Sequence, residues 1–232
     1  MIDWHSHILP GMDDGSKDVA ESLAMLQMQT AQGVETVIAT PHFYANDETV
    51  AAFLKRRREA LEVLTEQLPE NAPKLVLGAE VRYYQGISHM EDLPDLRIEG
   101  SKLLLLEMPF SAWSESMVRE VVEMSGKRGV RIVLAHVDRY LKLQKPSTWD
   151  RLAGNGILMQ CNGSFFSSFA SRRKAIALLE TGMVQFLGSD CHNLTTRSPQ
   201  LGNAFDVIRK RLGEDYLDQM KQYGYSLFTA TI

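Results

Sequence analysis

The stretch Val34-Glu-Thr-Val-Ile-Ala-Thr-Pro-His42 (VETVIATPH) sets the reading of the whole chain. Residues 34–39 form a β-branched, apolar run with the composition of a buried strand. Gly33 before it suits the stop of a helix whose apolar positions, Val19, Leu23 and Leu26, fall at helical spacing. After the strand the chain turns at Pro41 and presents an imidazole, His42. The same sentence is written again and again along the sequence: a short apolar run, then a metal-type side chain, then a helix.

Working outward, strands are expected near residue 1, at 75–77, 102–106, 130–135, 157–160 and 184–188. Helices are expected at 47–67, 115–128, 146–154, 171–181, 199–213 and 214–224. Residues 83–100 read as irregular, and Lys55-Arg-Arg-Arg58 as a solvated helix face. About seven strands, apolar on both faces and alternating with helices, imply parallel connections. This pattern suits a (β/α) barrel or an open doubly wound sheet, and periodicity does not choose between them.

The polar residues after the strands carry the chemistry. His5 and His7 end the first strand, and His42 follows the second. Glu80, Glu107 and His136 follow the next three, and Asp190 and His192 follow the last. In a parallel barrel all strand C-termini share one face, so residues remote in sequence would meet there. Five of the six histidines belong to this set; His89 does not. His5 and His7, at i and i+2, would point to one side of a strand. The Asp13-Asp14-Gly15 turn would bring in a further carboxylate. Each feature alone is more often structural. Together, with Asp14, they make nine imidazole and carboxylate candidates. One ion needs only three or four protein ligands, so the set points to two or three ions.

Composition narrows the rest. The chain has 232 residues, 44% hydrophobic and 23% charged, enough for one core without disulfides. One domain is expected over 1–232. A net charge of −4 gives no electrostatic footprint for nucleic acid. No apolar run approaches a membrane span, no signal peptide is evident, and two distant cysteines fit a reducing compartment. The expected location is therefore cytoplasmic, without stable membrane insertion.

The blocks DWHSHILPGMDDG (3–15), TPH (40–42), GAE (78–80), LLLEMPF (104–110), AHVDRY (135–140), QCNGS (160–164) and SDCHNLTTRSPQL (189–201) resemble the PHP (polymerase and histidinol phosphatase) superfamily. Within it, they resemble the bacterial tyrosine-protein phosphatases of capsule and exopolysaccharide loci. The resemblance implies an α/β fold, a distorted (β/α)7 barrel. It implies a first ion on His5, His7, Glu80 and Asp190. A second would lie between Glu80, Glu107 and His136, and a third on Asp14, His42 and His192. The cofactor would be two or three divalent ions, manganese foremost, with Fe, Co or Zn compatible. The implied substrate and partner is a phosphotyrosine-bearing tyrosine kinase that controls polysaccharide synthesis. Two departures stand out. Val137-Asp138 occupies the place of an expected Pro-Glu, and the ending YGYSLFTATI (223–232) lacks the usual Asn-Pro.

The implied reaction is hydrolysis of a phosphomonoester by hydroxide activated on metal, which lowers the pKa of water from about 15.7 to about 7. Arg139 and Arg197, just beyond ligand blocks, are expected to bind the substrate phosphate. Cys191-His-Asn-Leu-Thr-Thr-Arg197 also fits the C-x5-R spacing of cysteine-nucleophile phosphatases. It contains no glycine for an anion nest, and Cys191 between two candidate ligands would face away from them. The competing functions are a small-molecule phosphatase such as histidinol-phosphatase and a non-catalytic metal-binding kinase adaptor.

Overall fold

The structure is a computed structural model and describes residues 1–228. The expected domain therefore includes four residues, 229–232, that lie outside the described residues. So does the last part of the unmatched ending.

Nine strand segments build the sheet: β1 (Ile2–Ser6), β2 (Thr36–Ala39), β3 (His42–Phe43), β4 (Lys74–Leu77), β5 (Glu80–Arg82), β6 (Leu103–Glu107), β7 (Arg131–Leu134), β8 (Leu158–Asn162) and β9 (Phe186–Gly188). All named strand pairings are parallel. The order is β1-β2-β4 in one sheet and β3-β5-β6-β7-β8-β9 in the other. β3 continues β2 after a break at Thr40-Pro41, and β5 continues β4 after a break at Gly78-Ala79. Nine segments thus make seven strands, as the sequence pattern requires. The two edges meet: Asp190 N–H donates to His5 O (2.7 Å) and His7 N–H to Cys191 O (3.0 Å). The result is a curled parallel sheet joined along both edges, the distorted barrel.

Seven α-helices lie outside: α1 (Val19–Ala31), α2 (Val50–Thr65), α3 (Glu115–Met124), α4 (Pro146–Gly154), α5 (Phe169–Glu180), α6 (Gly202–Leu212) and α7 (Glu214–Ser226). Asp18, Thr49, Ser114 and Ser168 cap four of them by accepting from a backbone N–H one turn on. Between β5 and β6 there are only two 3₁₀ turns, Ile87–His89 and Leu93–Leu96, which matches the irregular reading of 83–100. α7 forms despite the atypical ending. Gly224 lets it approach β1, since a Cβ there would lie 2.9 Å from the Trp4 ring.

One expectation fails. Lys55–Arg58 is not uniformly solvated, because Arg57 is buried. Its Nη1 donates to Gly78 O (2.6 Å) and its guanidinium lies over Phe53. The break between β4 and β5 leaves a carbonyl that α2 satisfies with the one arginine facing it.

Two hydrophobic clusters divide the core. The larger lies between strands and helices. The smaller (Ile2, Trp4, Ile38, Val76, Leu103, Leu105, Val133, Leu158 and Phe186 among its members) fills the lower barrel lumen. Trp4 stacks on Phe186 with centroids 4.1 Å apart, and Phe228 lies on the indole at 5.9 Å.

Candidate metal centre

The residues that end the strands continue the face that fills the lumen. Two residues past Leu105 is Glu107. Two past Leu158 and four past it are Gln160 and Asn162. Phe186 leads through Gly188 to Asp190, Val76 through Gly78 to Glu80, and Ile38 through Thr40 to His42. Period two therefore carries each strand from an apolar floor to a polar mouth. β7 departs from this rule: Val133 and Ala135 belong to the floor, while His136, of opposite parity, has left-handed backbone (φ 33°) and reaches Glu80. β1 departs from it as well. Its pairing with β2 slips between Asp3 and Ser6, where three steps along β1 match two along β2. That bulge changes the parity, so Trp4 joins the floor while His5 and His7 join the mouth. Gly188 makes room for this, since a side chain there would meet His5 Cβ at 2.6 Å.

All nine sequence candidates converge. Within 4.8 Å, potential ligand atoms group as His7, Asp14, His42 and His192; His5, His7 and Asp190; His5, Glu80 and His136; and His42, Glu80 and Glu107. The grouping differs from the one the resemblance implies: Glu107 joins His42 and Glu80 rather than His136, His136 joins His5 and Glu80, and His7 also joins Asp14, His42 and His192. Glu80 is the hub. Its Oε2 lies 3.1 Å from His5 Nε2, 3.2 Å from His7 Nε2 and 3.0 Å from His42 Nδ1, and its Oε1 lies 2.8 Å from His136 Nε2. Burial opposes ionisation of Glu80, but His5 and the other imidazoles hold its pKa well below the usual carboxylate range.

The donor set fits divalent cations. Glu80 Oε2, Glu107 Oε2, His42 Nδ1 and His192 Nε2 are buried without a hydrogen-bond partner. Buried polar atoms normally have partners, and four orphans aimed into one space are a ligand set. His5 and His7 are fully buried, their Nε2 atoms 3.1 Å apart. Burial disfavours charge on His192, and with the charges of His7 and Arg197 it brings the imidazole down to about 4. A neutral imidazole keeps a lone pair for a metal.

Neighbouring side chains aim these groups. Asp13 Oδ2 accepts from His7 Nδ1 (2.7 Å) and from His42 N–H (2.8 Å), while exposed Asp14 faces His42, His192 and Arg197. This separates the two acids of the turn: Asp13 orients and Asp14 faces the mouth. Gly15 is required, since a Cβ there would come within 2.3 Å of His7 O. On β8, Gln160 Oε1 accepts from His136 N–H (2.7 Å) and lies 3.3 Å from His5 Nδ1. Gln160 Nε2 donates to Asn162 Oδ1, and Asn162 Nδ2 to Asp190 Oδ2 (both 2.9 Å). β8 contributes no candidate ligand; its two amides tie three other strands together. Asp138 Oδ1 accepts from Asn162 N–H (2.9 Å), which ties the segment after β7 to β8. None of Asp13, Gln160 and Asn162 stood out as functional in the sequence. The available signal was their parity and the absence of a metal-type residue after one strand of seven.

His136 (φ 33°) and Asp190 (φ 51°) are the two described non-glycine residues with left-handed backbone. Such strain concentrates where geometry serves a site. Arg139 and Arg197 flank the mouth, each about a third exposed, and both donate to Asp190, Arg197 at 2.6 Å. Cys191 is fully buried, its Sγ beside Gln29 Nε2 (3.8 Å) on the helix side, and burial pushes its thiol upward. Asp190 is not extended as the sequence suggests, yet the thiol still points away from the mouth. A buried thiol held protonated is a poor nucleophile. Tyr83 and Trp113 serve packing: Tyr83 OH donates to Glu120 and Trp113 Nε1 to Pro109 O. Tyr44 stacks on His42 at 5.3 Å.

The family model for capsular polysaccharide synthesis, CpsB/CapC, matches residues 1–224. The tyrosine-protein phosphatase YwqE of Bacillus subtilis is 33% identical over 93% of this chain and 86% of its own. The tyrosine-protein phosphatase CpsB of Streptococcus pneumoniae is 30% identical over 92% of this chain and 91% of its own. A crystal structure of YwqE and CpsB, described as unique metal-dependent tyrosine phosphatases, superposes with a TM-score of 0.83 at 26% identity, over 100% of this chain and 96% of that one. A chain of archaeal ribonuclease P shares the fold alone, with a TM-score of 0.60 at 13% identity over 98% of this chain and 89% of its own. No helix among the described residues is long and apolar enough to cross a membrane. The chain belongs to the CpsB/CapC family of capsular polysaccharide synthesis.

Proposed function

We propose that this chain, as one domain, is a metal-dependent protein-tyrosine phosphatase acting on a phosphorylated tyrosine kinase in capsule or exopolysaccharide synthesis. The observation that carries the proposal is the set of buried, unpartnered nitrogen and carboxylate atoms around Glu80. His5, His7, Glu80 and Asp190 would hold one divalent ion, Glu80, Glu107 and His136 a second, and Asp14, His42 and His192 a third. Manganese is the favoured ion, with iron, cobalt or zinc compatible in ligand type. When bound, the ions supply Lewis acidity and an ionised water near neutral pH.

The chain's own groups do the rest. Arg139 and Arg197 offer donors at the mouth and match phosphoryl oxygens as planar forks while keeping their contacts to Asp190. Asp13 holds Nδ1–H of His7, which leaves Nε2 free as a ligand. Gln160 holds the backbone N–H of His136 at its left-handed turn, and Asn162 orients the Asp190 carboxylate. The leaving phenolate, with a pKa of about 10, departs with less help from an acid than an alkoxide would. Cys191 takes no part.

The test is phosphate release from a phosphotyrosyl peptide by metal-stripped protein, with and without added Mn, Fe, Co or Zn. Turnover should appear with metal and vanish with chelator, and Cys191→Ser should retain it. A dead serine variant together with indifference to chelator would overturn the metal mechanism.

A further inference from the structure

Among the described residues, five large apolar side chains are exposed: Val63, Phe110, Phe169, Leu194 and Tyr223. Isolated exposures of this kind are ordinary. Three of these five share one place. Phe110 lies three residues beyond β6, Phe169 opens α5 after β8, and Leu194 lies in the segment after β9. All three follow strand C-termini, and so sit on the face that carries the candidate metal centre. The relevant strands are neighbours, β6-β7-β8-β9. Arg139 follows β7 and Arg197 shares the last segment with Leu194. Around the mouth the order is therefore aromatic, arginine, aromatic, then leucine with arginine.

The local backbone holds these side chains outward. Phe110 is 73% and Phe169 70% exposed. The 109–113 segment is pinned by Gln144, which donates to Ser111 O (2.7 Å) and accepts from Trp113 N–H (2.9 Å). The Phe110 ring still reaches Tyr140 at 6.3 Å, and Tyr140 lies 5.6 Å from His136. Ser168 caps the helix that Phe169 begins. Asn193 Oδ1 accepts from the N–H groups of Thr195 (2.9 Å) and Arg197 (3.1 Å), closing a tight turn with Leu194 on it. Apolar surface on a polar rim marks an interaction site.

We infer that this arc docks the phosphotyrosyl segment of a protein substrate through apolar side chains next to the phosphotyrosine. The arginines receive the phosphate between the apolar contacts, so charge and apolar surface are matched on one edge. The inference rests on the phosphatase reading and deepens it: among phosphotyrosyl segments, those with apolar flanks are preferred.

The experiment compares the metal-loaded wild type with the combined variant Phe110→Ser, Phe169→Ser, Leu194→Ser. Three substrates are used: p-nitrophenyl phosphate, a phosphotyrosyl peptide with Leu and Phe on both sides, and the same peptide with Ser flanks. Peptide affinity is measured alongside kcat/KM. Wild type should prefer the apolar-flanked peptide by about tenfold, the scale of burying one such side chain. The variant should lose that preference and hydrolyse p-nitrophenyl phosphate as before. A wild type without preference, or a variant that keeps it, overturns the inference. A wild type that binds the apolar-flanked peptide preferentially but releases no phosphate leaves the docking arc standing and removes the phosphatase reading instead.

Discussion

The two ends of the barrel lumen are built from the same strands and chemically opposed. At the floor, the apolar side chains of Ile2, Trp4, Leu103, Leu158 and Phe186 pack together, with Phe228 on the Trp4 indole. At the mouth, a few residues further along the same faces, His5, His7, Glu80, His136, Asp190 and His192 are just as buried. Burying apolar surface contributes stability, at roughly 25 cal/mol per Å². Burying imidazoles and carboxylates costs stability, and mutual pairing offsets it only in part. The difference teaches a division of labour. The floor holds the barrel shut, and the mouth uses that rigidity to keep repelling and unpartnered groups where cations would bind them.

Four changes would break or sharpen this contrast. The largest effect belongs to the hub. Glu80→Gln removes the charge that four imidazoles share, so phosphopeptide kcat/KM should fall on the order of 10³-fold or more while the fold survives. Circular dichroism with a kinetic assay checks both halves, and near-normal turnover would remove Glu80 from the centre. Next comes the floor. Trp4→Ala should lower unfolding free energy by about 3–5 kcal/mol in urea titrations and leave divalent-ion affinity of the folded protein nearly unchanged. A large loss of ion binding at full stability would show that the two ends are not separable.

Smaller is the effect of aiming. Asp13→Ala leaves every candidate ligand in place but frees the His7 ring, so calorimetric Mn affinity should weaken about 10–100-fold. An unchanged affinity would make Asp13 a turn residue and nothing more. Smallest is Cys191→Ser, which exchanges one buried, uninvolved atom; activity should stay within about threefold of wild type. Loss of activity with ion content intact would reopen the C-x5-R reading.

Ligand-type residues were legible because they interrupt apolar runs. His42 after VETVIATP and Glu107 after LLLL are conspicuous against their neighbours, and parallel topology brings such interruptions together. Arg57 was misread because a helix face shows its period in sequence but not the carbonyl that a broken strand leaves opposite it. Gln160 and Asn162 lay in the quoted block QCNGS but gained no role from it, because amides on a strand carry no chemical signature until their partners are known.

Sequence alone thus determined the strand count, the helix alternation and the identity of the nine convergent groups. Those depend on residue type and short-range period. Only the tertiary structure decided that Asp13 orients His7, how the β1 bulge turns His5 and His7 inward beside Trp4, and where the arginines rest. Those outcomes depend on register, closure and backbone twist between strands far apart in the chain, and no local pattern encodes such distances.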